Sequence, residues 1–370
     1  MKALPSVRDL PVKQKTVLLR TNYDVPLKSQ KSTLRPSSGL TVSEVEPSKV
    51  KSQNLEVADG TRIDESLPTI NYLLKQQAKV VILSHLGRPE GKVNPDLSLK
   101  PIADYLSKVL NKEVFFFTLR EALGLIERYG NPGGLILLEN LRFYPEEEKN
   151  DLVFAKKLAS LADFFINDAF ACSHRKHASI VGIPQFLPPA FGLDFLKEVE
   201  ILDKIKNNPR RPVVVILGGV KKDKIDLAHK LVNWADNILI GGKIIEDKEA
   251  QKILNHHNVV GALIKDKHDI TMETIQNFRK IINKAGTIVW AGPMGQYEDK
   301  QWEMGTKEIA QTIVESGAYT VVGGGDTEAA LTKFGLVQKI NYISSGGGAM
   351  FEFLAQGTLP GIEAIVKKND

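Results

Sequence analysis

The chain has 370 residues, enough for two domains of ordinary size, with 42% hydrophobic and 25% charged residues, the balance of a globular protein in water. Its net charge of +5 comes without a basic block or an aromatic-interleaved basic patch, which argues against nucleic acid and suits a small anionic ligand. The single cysteine, Cys172, excludes an internal disulfide framework and a multi-cysteine metal site, and no apolar run is long enough for a bilayer span.

The opening MKALPSVRDLPVKQK has no apolar core of a secretory signal, so we expect a cytoplasmic protein without membrane association. From there short β-branched runs alternate with helix-like stretches. In chain order the runs are TVLLRTNYDVP, AKVVILSHLGRP, EVFFF, GGLILLENLRF and DFFINDAFACSH, then RPVVVILGGVKK, NILIGGKI, GTIVWAGPMG, AYTVVGGGD and INYISSGGG. That alternation predicts βα units on parallel sheets. Between the two sets, PPAFGLDFLKEVEILDKIKNNP carries apolar residues at helical spacing between prolines and reads as a linker helix. Residues 28–58 are rich in Ser, Lys and Pro and are given no chemistry; LTVSEVE and NLEV could pair as a hairpin, or the stretch could be disordered. The expected class is α/β: two doubly wound, Rossmann-like parallel-sheet domains joined by a linker helix, with the active site in the cleft between them. The expected divisions are 1–187 with 28–58 a variable insertion, a linker at 188–208, a second domain at 209–352, and a C-terminal segment 353–370 returning to the first domain.

The two sets place different chemistry at their strand ends, where open α/β sheets bind ligands. The first presents cations: Arg20, His85 and Arg88, Arg142, then His174, Arg175 and His177, with Arg62 following in DGTRIDESLPTI. The second presents glycines: Gly218-Gly219, Gly241-Gly242, Gly292 to Gly295, Gly323 to Gly325 and Gly346 to Gly348. Glycine turns let backbone N–H groups approach an anion, and a helix N-terminus adds a favourable dipole, so the second set suits nucleotide phosphates. Arginines bond carboxylate and phosphate bidentately, so the first suits a small polyanion. Two such sites suggest phosphoryl transfer.

Each feature also has an ordinary structural role. A lone strand-end arginine is usually salt-bridged, and a single Gly-Gly pair is usually just a turn; it is the repetition that points to function. Neither GxxxxGK[ST] nor GxGxxG occurs, which excludes a P-loop and argues against a hydride-transferring oxidoreductase. His174 and His177 alone do not make a metal site, Cys172 reads as a packed thiol, and the tryptophans read as packing. Met294 could line a pocket or fill the core. Glu146 to Glu148 read as the solvated first turn of a helix. Of Lys221, Lys222 and Lys224, at a helix start after a glycine turn, at least one reads as a phosphate contact. Asp326 reads as a helix N-cap, a Mg²⁺ ligand, or both.

In order, RTNYDVPL, DGTRIDESLPTI, SHLGRP, LLENLRFYPEEE, NDAF..SHRKHAS, ILGGVKKDK, WAGPMG, VVGGGDTEAA and ISSGGGAMFEFL…LPG resemble the motifs of phosphoglycerate kinase, from about residue 15 to the C-terminus except for 28–58. The resemblance implies phosphoryl transfer between 1,3-bisphosphoglycerate and ADP, giving 3-phosphoglycerate and Mg-ATP, by a monomer. It implies that Arg62, His85, Arg88, Arg142 and Arg175 hold the triose, with Asn22 and Asp24 beside them. It places the nucleotide on Gly218, Gly219, Lys221, Lys224, Gly241, Gly242, Pro293, Gly323, Gly324 and Gly325, with Glu298 on the ribose, Asp326 on Mg²⁺ and Thr327 next to it. In the ATP-consuming direction the nucleophile is a carboxylate already ionised at neutral pH, so no general base is needed. Positioning and charge neutralisation remain, for which Arg62, Lys221 and the amides of Gly346, Gly347 and Gly348 are suited. Closure about the linker helix would bring the two sites together.

The sequence departs from the family pattern in four places. The family's Asp-x-Asn is exchanged as Asn22-Tyr23-Asp24, which would alter triose affinity. GGVKKDK is one residue short, leaving Lys222 or Lys224 as the second lysine. Ala291 replaces an Asn before GPMG, and Ser345 replaces a Thr. The stretch between GGKI and WAGPMG also looks short. These departures leave open a catalytically weak nucleotide-binding relative serving as scaffold or sensor.

Overall fold

Runs such as VVVIL, KVVIL and TIVWA are apolar at nearly every position, the pattern of strands covered on both faces, and parallel sheets require such cover. In the computed structural model they become Val213–Leu217, Lys79–Leu83 and Thr287–Ala291, almost wholly buried. The structure describes residues 3–29, 55–129, 131–220 and 223–369. Lys221 and Lys222 therefore lie outside the described residues, as does LTVSEVE.

Two six-stranded sheets form the framework, and every pairing within them is parallel. The first runs Val114–Phe117, Leu135–Leu138, Lys79–Leu83, Thr16–Arg20, Phe164–Asn167, Pro189–Phe191. The second runs Val259–Gly261, Asn237–Ile240, Val213–Leu217, Thr287–Ala291, Tyr319–Gly323, Tyr342–Ser344, which is the Rossmann order 3-2-1-4-5-6. In each sheet the chain leaves from a central strand toward one edge and returns to the other side. The resulting switch points lie between Thr16–Arg20 and Phe164–Asn167, and between Val213–Leu217 and Thr287–Ala291. Apolar residues cover both faces; Val17, Leu19 and Ile82 belong to the first core, and Val214, Ile216 and Trp290 to the second.

Two compact units result. One comprises Leu4–Ala169, Lys176–Asp194 and the chain from Ala364; the other comprises Phe170–Arg175 and Phe195–Glu363. The helix Leu193–Asn207 buries Phe195, Val199, Leu202 and Ile205, the stripe its spacing predicted, and also Glu198. At the C-terminus, the helix Pro360–Asn369 bonds Gln185 O through Lys368 Nζ and Pro189 O through Asn369 Nδ2, at 3.3 and 3.2 Å. The strand partner of Leu55–Val57, in NLEV, is Leu27–Ser29, in an antiparallel pair. Among the described residues no helix is long and apolar enough to cross a membrane.

Two expectations are corrected. Only Glu146 and Glu148 of the acidic run are exposed; Glu147 is wholly buried, because the buried Arg20 lies beside it. Asp326 is not a cap: Gly324, at φ +96°, is the N-cap of the helix Gly325–Lys333 and carries no side-chain bond, so Asp326 stands free in the first turn.

Candidate active site

In the first unit the expected triose residues gather on one loop. Past Arg20 the chain is held by Thr21 N donating to Leu83 O (3.0 Å) and Tyr23 N to Ser84 Oγ (2.9 Å). Tyr23 is buried with its hydroxyl on Ser66 Oγ, while its neighbours Asn22 and Asp24 remain half-buried and exposed. Gly87, in SHLGRP, is the hub. Its N–H donates to Asp24 Oδ1 at 2.9 Å, and its carbonyl accepts from Arg142 Nη1 at 2.8 Å. Its φ of +62° admits glycine easily. Arg62 Nη1 donates to the Asp24 carbonyl at 2.7 Å. Thus Asp24, Arg62 and Arg142 meet there, His85 is two residues away, and Arg88 is exposed on the same loop.

Beneath them lies a layer that corrects one expectation: Arg20, read as a cation presented to an anion, is internal, on partners Ser179 and Glu147 that the sequence reading missed. Arg20 is fully buried, with Nε donating to Ser179 Oγ (2.8 Å), Nη2 beside His85 Nδ1 (3.2 Å) and the Glu147 carboxylate 4.0 Å away. Glu147 accepts from Ser179 N at 2.9 Å and from Ser179 Oγ, with His177 Nδ1 at 3.9 Å. Burial pushes the Glu147 carboxyl above its ordinary value, against the lowering pull of Arg20 and of Ser179. The available signal was Arg20 itself: an arginine closing a strand buried on both faces needs a buried counter-charge.

In the second unit the glycines lie at the switch point. Gly218 N donates to Ala291 O (3.0 Å), Gly219 N to Pro293 O (2.8 Å), Gly241 N to Leu217 O (2.8 Å) and Gly292 N to Thr327 Oγ1 (2.7 Å). These four amides are therefore engaged inside the fold, contrary to the expectation that such turns offer them to an anion. Glycine is required there for another reason. A Cβ on Gly218 would strike the carbonyl oxygens of Pro293 and Gly292, and one on Gly292, at φ +97°, would strike the Gly218 carbonyl. Gly242, at φ +66°, would strike Gly219 N. The amides left without an acceptor in their own helix belong to the two triple-glycine runs, which open the helices Gly325–Lys333 and Gly347–Gln356.

Lys224, one of the two candidates for the second lysine, is held by the backbone. Its Nζ donates to Gly218 O at 2.7 Å and Ala291 O at 3.2 Å, between the two switch-point strands. Met294 is fully buried against Gly218 and Gly241, which makes it core. Thr327 is also buried, its hydroxyl accepting from Gly292 N and reaching Gly323 O at 3.3 Å. Glu298 and Asp326 are exposed, and burial, then the charges of Glu298 and Asp326, hold the Tyr297 hydroxyl pKa above its ordinary value.

The run at Gly346 to Gly348 is held by the buried Glu198, whose carboxylate accepts from Ser344 Oγ, Ser345 N (3.2 Å) and Ser345 Oγ (3.0 Å). Gly346 lies so close to Ala171 that a Cβ would meet its backbone at 2.5 Å. Arg175 belongs to this same unit rather than to the one holding the other triose residues, its Nε 3.2 Å from His174 Nε2. His174 in turn lies 3.7 Å from a Cβ position on Gly348. Hence one cation and one imidazole stand by the start of the glycine helix. His177 falls in the other unit, and no group of three or more metal-ligating side chains occurs among the described residues.

The family model "Phosphoglycerate kinase" matches residues 48–258 and 245–357. The chain belongs to the phosphoglycerate kinase family. It is 39% identical to the phosphoglycerate kinase of Thermosipho africanus over 421 positions, covering 98% of each chain. It is 38% identical to that of Finegoldia magna over 97% of this chain and 98% of the relative. Among solved structures, phosphoglycerate kinase from Coxiella burnetii overlays with a TM-score of 0.76 at 32% identity over 100% of both chains. Phosphoglycerate kinase from Pyrococcus horikoshii overlays with 0.80 at 28% over 99% of both. The family match breaks into two pieces sharing 245–258, at the start of the stretch that looks short for a phosphoglycerate kinase. Ala291, which takes the place of the family's asparagine, offers its carbonyl to Lys224.

Proposed function

We infer that this chain is a working phosphoglycerate kinase, moving a phosphoryl group reversibly between 1,3-bisphosphoglycerate and ADP to give 3-phosphoglycerate and ATP. The single observation that carries this is the retention of both anion-binding constructions within a family member matched over nearly its whole length. On one side Arg142 and Asp24 converge on Gly87 and Arg62 joins them through the Asp24 carbonyl, with Asn22, His85 and Arg88 adjacent. On the other, glycine turns are joined by the starts of the helices Gly325–Lys333, with the exposed Asp326 in its first turn, and Gly347–Gln356. A scaffold or sensor would have no need of both.

In this reading the cations of the first unit, with Arg175, hold the triose, and the glycine turns with Pro293, Thr327 and Glu298 hold the nucleotide. Lys221 and the amides of Gly346 to Gly348 neutralise the moving phosphoryl group; Lys221 rests on the resemblance alone. Lys224, bonded to two carbonyls at the switch point, supports the floor beneath the phosphates. Asp326 fits a Mg²⁺ ligand, since it is exposed, is no cap and lies outside any protein-only metal cluster. Mg²⁺ takes one or two carboxylates together with nucleotide phosphates, and bound there it would neutralise phosphate charge. The acceptor is an ionised carboxylate, so the chain supplies position and positive charge and no proton acceptor. We further propose a cytoplasmic monomer, which light scattering would check.

A coupled assay with Mg-ATP and 3-phosphoglycerate tests the activity. Arg62→Ala is expected to lower kcat by about 100-fold or more while leaving the Kd for nucleotide within about twofold. No turnover by the native chain would leave the scaffold reading standing. Equal loss of turnover and nucleotide binding would remove the role given to Arg62.

A further inference from the structure

The loop 293–305 carries Pro293 and Glu298, the two residues read as nucleotide contacts that lie outside the glycine turns. It has no strand in it; its helical parts are the single turn Lys300–Trp302 and, at its end, the first two residues of the helix Met304–Glu315. A separate short hairpin, Ile264–Lys265 paired with Asp269–Ile270, grips it at both ends. Asp269 is buried, yet it is not the cap of the following helix; Thr271 fills that place. Its Oδ2 accepts from Gly305 N at 2.8 Å, and its Oδ1 accepts from Ile270 N at 2.8 Å. Two glycines make room for this carboxylate, because a Cβ on Gly295 or on Gly305 would strike Oδ1. The preceding His268 takes the rest of the loop. Its ring packs on Trp302 with centroids 5.0 Å apart, Nδ1 meets Gln296 Oε1 at 2.7 Å, and its carbonyl accepts from Gln296 N at 2.9 Å.

A buried carboxylate is costly to keep unless its bonds matter, and this one bonds an amide thirty-six residues away, in the first turn of the helix Met304–Glu315, whose N-cap Glu303 makes no side-chain bond. The side of the loop toward Lys333, whose Nζ donates to Tyr297 O at 2.6 Å and pairs with Glu303 at 2.7 Å, has its own anchor. The other side is held by His268 and Asp269 of the hairpin and by Thr306 of the helix Met304–Glu315, whose hydroxyl accepts from Met294 N and Gly295 N at 3.0 Å.

We propose that Asp269, with His268, is a positioning residue for the nucleotide: it fixes the loop so that Pro293 and Glu298 meet the base-and-ribose end of ATP or ADP. Neither residue touches the reacting phosphoryl group, so their loss acts on nucleotide binding and spares the chemical step. The proposal rests on the reading that Glu298 contacts the nucleotide.

The test is steady-state kinetics of Asp269→Asn and of the exposed His268→Ala, each alone and combined with Glu298→Ala. Asp269→Asn is expected to raise KM for Mg-ATP about tenfold, with kcat and KM for 3-phosphoglycerate held within about twofold. In the Glu298→Ala background most of that increase should vanish, as coupled residues require. A fall in Tm with KM for Mg-ATP unchanged, equal rises in both KM values, or full additivity with Glu298→Ala would each overturn the proposal. Should Asp269→Asn fail to fold, His268→Ala is read by the same criteria. If Glu298→Ala alone leaves KM for Mg-ATP unaltered, the Glu298 reading fails, and the Asp269→Asn result still decides whether the hairpin positions the loop.

Discussion

The two strand-end regions prepare for anions with different materials. Around Gly87 the chain uses side chains: Asp24 and Arg142 bond Gly87, and Arg62 bonds the Asp24 carbonyl, above Arg20, Ser179 and Glu147. Around Gly218 and Gly292 it uses bare backbone, with the Gly218 amide on the Ala291 carbonyl, the Gly292 amide on the Thr327 hydroxyl, and no room for a Cβ. The lesson is that a cation cluster needs a charge-balanced floor, whereas a glycine cradle needs close chain approach. The first fails when a charge is stranded, the second when an atom is added.

The largest expected effect strands a charge. Glu147→Ala leaves Arg20 buried without its carboxylate and should cost about 3–5 kcal/mol of stability, read from denaturant unfolding. A loss below about 1 kcal/mol would break the comparison at its first term. Glu147→Gln, which keeps an acceptor for Ser179, separates charge from shape. The folded Glu147 carboxyl holds its proton more tightly than the unfolded chain, whose ordinary value is 4.5. The folded state thus binds more protons above that value, and stability should fall as pH rises through the interval up to the raised folded value. Glu147→Gln should flatten this decline; an identical pH profile would show that Glu147 does not titrate there.

Next in size is an added atom. Gly292→Ala should destabilise the chain by about 1–3 kcal/mol and raise KM for Mg-ATP more than that for 3-phosphoglycerate. Gly133→Ala is the control: its φ of +76° is as strained, but nothing lies within 4 Å of its Cβ. If both variants lose the same stability, backbone strain and not close approach explains the glycines.

The smallest effect concerns the exchanged pair. Adding a carboxylate beside the triose cations by Asn22→Asp should raise KM for 3-phosphoglycerate by about threefold, and Asp24→Asn should lower it, exposed charges being worth about 0.2–1 kcal/mol. Constant KM in both variants would remove the exchange as a factor in triose affinity.

Much of the site was legible because its residues sit in short contiguous motifs at strand ends, and motif and position coincide in βα units. The glycine turns were found for partly the wrong reason, since four of their amides serve the fold. Glu147 was hidden because a Pro-Glu-Glu-Glu helix start looks solvated, and only Arg20, far off in sequence, required its burial. Asp269 was hidden because Asp-Ile-Thr before a helix looks like capping chemistry, and its partner Gly305 lies beyond any local pattern.

By itself the sequence determined the strands, through runs apolar at nearly every position, which need cover on both faces. It determined which ends carry cations and which carry glycine, because strand direction is shared in a parallel sheet. Tertiary structure alone decided the order of the strands, the seating of Arg175 with the glycine helix rather than with the other arginines, and the burial of Glu147 and Asp269. Those outcomes depend on which atoms become neighbours across tens of residues. Hydrophobic periodicity, a local property, carries no record of them.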